Sequence, residues 1–105
     1  MIAMGKRRWA VRVMEEADLP VTSRVGDAVM QVLIAQAKSP ANPGLGDQGA
    51  VFVGVQGMVA NFNAVSDLEY LGLTNSEAMW ALAKLGDAAT RMLDRQLTDH
   101  TEARA

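Results

Sequence analysis

The chain has 105 residues, 50% of them hydrophobic and 21% charged, with a net charge of −2, enough for one folded domain with a modest core and too little for two. It has no cysteine, which excludes disulfides, thiolate metal sites and a cysteine nucleophile and suits a reducing compartment. Glu15 and Glu16 fall where an export signal needs an apolar run, and the longest apolar stretches, 28–37 and 50–62, are broken by Gln31, Gln36 and Gln56 and fall short of the roughly 20 residues that span a bilayer, so the expectation is a cytoplasmic protein without a membrane partner.

Between about Met4 and Ala17, the side chains of Trp9, Ala10, Val13, Met14 and Ala17 share one side of a helix while Arg8, Arg12 and Glu15 share the other. Pro20 ends it, because the residue before a proline is pushed out of the helical region. Thr22 or Ser23 can cap a second helix reaching Lys38, with Val25, Val29, Val32 and Leu33 inward and Met30 and Ile34 widening the apolar face, while periodicity alone also allows a buried strand over Val29 to Ala35. Residues 39–49, SPANPGLGDQG, read as the main loop. Gly44, Gly46 and Gly49 spell G-x-G-x-x-G there, but the motif follows Asn42-Pro43 where a nucleotide cradle needs a preceding strand, and Asp47 occupies the place of a phosphate. A surface loop is the preferred reading, and no cofactor and no small-molecule substrate are expected.

Residues 50–62 carry two periods. Val51, Val53 and Val55 alternate like a strand, whereas Val51, Val55, Met58, Phe62 and Val65 are spaced like a helix seam. Gly54 and Gly57 would each cost a helix about 1 kcal/mol unless they permit close contact with a neighbour, so the expectation is one short strand near 51–55, over Val51 to Val53, followed by a helix. Ser66 with Glu69 forms a possible capping box for a short helix that Gly72 closes. Thr74 with Glu77 forms another, opening a long amphipathic helix with Ala78, Leu82, Leu85, Ala89, Met92 and Leu93 on one face and Glu77, Lys84, Asp87, Arg91, Asp94 and Arg95 on the opposite one. It is expected to run to Leu97. Residues 1–3 and 98–105 are expected to fray, and the whole of 1–105 to form a single domain.

The stretch 67–85, DLEYLGLTNSEAMWALAKL, is a short helix, a glycine turn and a longer helix, with Leu68, Leu71, Leu73, Ala78, Ala81, Leu82 and Leu85 at the positions that pack between them. It resembles the helix-turn-helix of bacterial and phage DNA-binding domains, and Ala17-Asp18-Leu19-Pro20-x-Thr22-x-Arg24 is similar to the start of small phage winged-helix proteins. The resemblance implies a mainly α fold, a small single-domain helical bundle with helix-turn-helix-like packing, and a DNA-binding regulator using Asn75, Ser76 and Lys84. Lys6, Arg7, Arg8 and Arg12 could supply a phosphate-binding arm, with Trp9 either stacking between them or buried in the core. The outward residues of the longer helix depart from that pattern. Glu77 would face phosphate, Lys84 stands alone until Arg91, no wing follows, and between residues 39 and 83 the only charges are Asp47, Asp67, Glu69 and Glu77.

Trp80 falls in the middle of the charged side of this helix. A large aromatic there must be covered by the N-terminal helix of the same chain, by a second copy or by another partner. The functional expectation is therefore a small regulatory protein working through a protein-protein interface, an inhibitor, adaptor or dimeric accessory protein of phage or mobile-element type. Met79, Trp80, Lys84, Asp87 and Arg91 form its contact surface, toward a protein partner or a homodimer. The DNA-binding regulator is the alternative. No enzyme is expected: His100 is the only histidine, Glu15 and Glu16 point apart on a helix, Asp67 and Glu69 suit a helix first turn, and no metal-ligand spacing exists.

Overall fold

The computed structural model describes residues 5–36 and 46–104, with side chains over 5–36 and 48–98, and within them has five helices and no strand. Helix α1 (Lys6–Glu16) buries Trp9, Ala10, Val13 and Met14, the side that the periodicity selects. Its end is not made by Pro20 alone. Asp18 takes a left-handed conformation, φ 56°, its N–H donates to the Glu15 carbonyl at 3.1 Å and the Leu19 N–H to the Met14 carbonyl at 3.0 Å, which is the Schellman closure with Leu19 and Met14 as its buried apolar pair. The chain then turns through Pro20 into α2 (Arg24–Gln36). Ser23 is the cap: its hydroxyl accepts from the Gly26 N–H at 2.9 Å and donates to the Pro20 carbonyl at 2.7 Å. Gly26 is required there, because a Cβ would lie 1.9 Å from the Pro20 oxygen, a backbone atom that cannot swing aside. Val29, Val32 and Leu33 point inward as expected, and Val25 is only partly buried.

Helix α3 (Gly46–Val59) corrects two expectations. Its first turn takes up 46–49, the last part of the expected loop, while 39–45 and Lys38 lie outside the described residues. It is also helical throughout, so the expected short strand near 51–55 is absent. The helix seam wins over the strand alternation for a packing reason: Val51, Val55 and Met58 are fully buried in one stripe while Val53 is 53% exposed. Gly54 repays its helix cost by letting α1 approach. A Cβ on Gly54 would stand 2.3 Å from Cζ2 of Trp9 and 2.9 Å from Cγ2 of Val13. The Trp9 indole N–H donates to the Ala50 carbonyl at 2.8 Å across the same contact. The seam stops at Met58, and Phe62 is fully solvent-exposed.

Helix α4 (Ala64–Tyr70) starts two residues before Ser66, so the Ser66–Glu69 capping box does not form. Asn61 instead receives the Asn63 N–H on its side-chain oxygen at 3.0 Å, folding the chain into the helix. Gly72, φ 101°, closes α4 as the sequence predicts, by the same Schellman pattern as Asp18: its N–H reaches the Glu69 carbonyl at 2.9 Å and the Leu73 N–H reaches the Leu68 carbonyl at 3.1 Å, with Leu68 and Leu73 buried. Helix α5 (Asn75–Arg104) is 30 residues long and continues past Leu97, where its apolar periodicity ends, through the stretch expected to fray. Thr74 and Glu77 cap it reciprocally, with N–H to side-chain oxygen distances of 2.9 and 3.1 Å. Ala78, Ala81, Leu85, Ala88, Ala89 and Met92 are its buried stripe; Leu93, expected inward, is 45% exposed, and Leu71, expected between α4 and α5, is 38% exposed.

The helices thus form one mainly α bundle. α5 lies along α3 and also touches α2 and α4, while α1 closes the core against α2 and α3. The two glycines of α3 make opposite predictions. Gly54→Ala forces Trp9 to move and should cost about 1–3 kcal/mol, as overpacking does. At Gly57 a Cβ would meet only the flexible end of Gln36 at 3.8 Å, so Gly57→Ala should stabilise by up to about 1 kcal/mol. Urea unfolding of both variants, with an unchanged denaturant slope, checks the pair.

Candidate functional site

The charged side of α5 is largely exposed and yet engaged within the chain. It clasps the ends of two other helices. At its first turn the Arg24 guanidinium, on α2, pairs with the Glu77 carboxylate and also donates to the Gly72 carbonyl at 3.2 Å. Farther along, the Lys84 ammonium donates to the Asp18 carbonyl at 3.4 Å and lies 3.6 Å from the Asp18 carboxylate. Arg91 donates to the Glu16 carbonyl at 2.9 Å, and Arg95 pairs with the Glu16 carboxylate. Lys84 and Arg91 sit on carbonyls at the C-terminal end of α1, where the helix dipole is negative and positive charge is favoured. Lys84 and Arg91, assigned from the sequence to a contact surface, therefore have partners within the chain. Arg24 is the residue that sequence reading missed, because its partners lie far off in sequence at Gly72 and Glu77.

Trp80 stands among these groups. The residue is 50% exposed, with Met79 beside it at 55%, and the Lys84 ammonium lies 5.1 Å from the ring centroid, a cation–π distance. The same Lys84 ammonium thus links the ring to Asp18, just past the end of α1. Asp87, one turn on, is exposed. Met79, Trp80, Lys84 and Asp87 are thus brought together on one helix, with Arg91 turned toward α1.

The residues of the DNA-binding alternative are not brought together. Asn75 and Ser76 are exposed at the start of α5, and Lys6, Arg7 and Arg8 are exposed on α1 with Arg12 partly buried. Trp9 is buried and its N–H is committed to Ala50, so no stacking residue lies between the cations. The first turns of α3 against which Trp9 packs adjoin Met92, Arg95 and Gln96 of α5, about 25 Å of helix away from Asn75 at 1.5 Å per residue.

A shallow groove of about 400 Å³ runs between α2 and α4, lined by Gln31, Gln36, Asp67 and Tyr70 among others. Its amides are already engaged, Gln31 donating to Asp27 at 2.8 Å and Gln36 accepting from Asn61 at 2.9 Å. Of the G-x-G-x-x-G glycines, Gly44 lies outside the described residues, and Gly46 and Gly49 belong to the first turn of α3. Among the described residues no three acidic or histidine side chains converge as metal ligands, and no helix is long and apolar enough to cross a membrane. No protein-family model, curated protein or solved structure matches the chain.

The Glu77 corner yields a pH prediction. The Thr74 N–H pulls the Glu77 pKa below its ordinary value, desolvation acts against it, and the Arg24 guanidinium adds to the lowering. A carboxylate with a depressed folded pKa contributes stability above the usual carboxylate range and loses it as pH falls through the depressed value. Glu77→Gln should therefore lower the melting temperature at neutral pH and flatten its fall on acidification, whereas Thr74→Ala should cost about 1 kcal/mol. Thermal melts across the acid range distinguish the two.

Proposed function

We propose that the chain is a small regulatory interaction protein, an inhibitor, adaptor or dimeric accessory protein, that acts through a protein-protein interface on α5 centred on Met79 and Trp80. The observation that carries this reading is the half-exposed Trp80 on a capped helix whose inward stripe is already filled by other residues. A tryptophan held open on rigid backbone presents a large apolar area at little ordering cost, and such residues dominate interface energetics when a partner covers them. The lack of cysteine suits action in the cytosol. The short helix, glycine turn and long helix around Gly72 keep the DNA-binding alternative in view, with Asn75 and Ser76 as the groups for base edges. Against it stand Glu77 in the same turn and the distance of the basic cluster on α1.

Two measurements test the reading. Titration with mixed-sequence duplex DNA at about 150 mM salt should give no better than the ~10⁻⁴ to 10⁻⁶ M of non-specific contact; sequence-specific nanomolar binding would replace the interface reading with the DNA-binding one. Trp80→Ala should cost the fold at most about 1–2 kcal/mol, while Trp9→Ala, in the core, should cost about 3–5 kcal/mol. A chain that unfolds on Trp80→Ala would show that the ring serves the monomer.

A further inference from the structure

We draw no further inference here: the strongest candidate, the outer apolar stripe of α5 at Met79, Leu93 and Leu97, about half exposed, carries none, because nothing in the structure shows what covers it.

Discussion

The contact on which the bundle depends is the one between Trp9 and the backbone of α3. An indole is the largest side chain available to a core of this size, and burying it demands both space for the ring and an acceptor for its N–H. Gly54 supplies the space and the Ala50 carbonyl, one turn earlier on the same helix, supplies the acceptor. The two requirements are met by residues four apart, which on a helix means by one face. No buried side-chain polar atom among the described residues is left without a partner. Helix α3 has almost no charge of its own and its apolar residues are spread around much of its circumference; the orientation it adopts is the one in which its glycine faces the tryptophan. Val51, Val55 and Met58 then fall into the core as a consequence.

The connections between helices repeat one solution. At Asp18 and at Gly72 the chain leaves a helix through a single left-handed residue and returns an apolar side chain, Leu19 or Leu73, onto the last turn. At Gly72 a glycine makes this conformation free of steric cost. At Asp18 it is occupied by a residue that tolerates it less well, and the carbonyl and carboxylate of that same residue both face Lys84. The strained turn is thus held from outside by α5. Glu16, two residues earlier, is held by Arg91 and Arg95 in the same way. These ion pairs are exposed and individually worth little. Their consequence is geometric, because together they fix the end of α1 against α5.

How much of this was legible in the sequence depended on the range of the interaction. The Thr74–Glu77 box, the closure at Gly72 and the buried side of α1 are local patterns, and the structure has them where the sequence puts them. The helical character of 50–59 was not decidable locally, because Gly54 lowers helix propensity and the residue that compensates, Trp9, lies more than forty positions away. Ser66 with Glu69 has the spacing of a cap but lies inside α4, whose start is set by Asn61 and Asn63. The pairing of the charged side of α5 was illegible for the same reason that Arg24 was missed: its partners, Glu16, Asp18 and Arg24, come from the first quarter of the chain. The misplacement of Leu93 has a different origin. On a helix with two apolar stripes, a residue near their boundary fits either by angle, and only the position of α3 decides.

That boundary explains the length of α5 as well. A helix of 30 residues is about 45 Å long at 1.5 Å per residue, whereas α1, α2 and α3 have 11, 13 and 14 residues and offer less than half that length to pack against. The buried stripe accordingly ends at Met92. Beyond it the only large apolar side chains with described surroundings are Leu93 and Leu97, and both are about half exposed. Stability of the monomer gives no reason for glycine at position 86, since its Cβ space is open and alanine there would favour the helix.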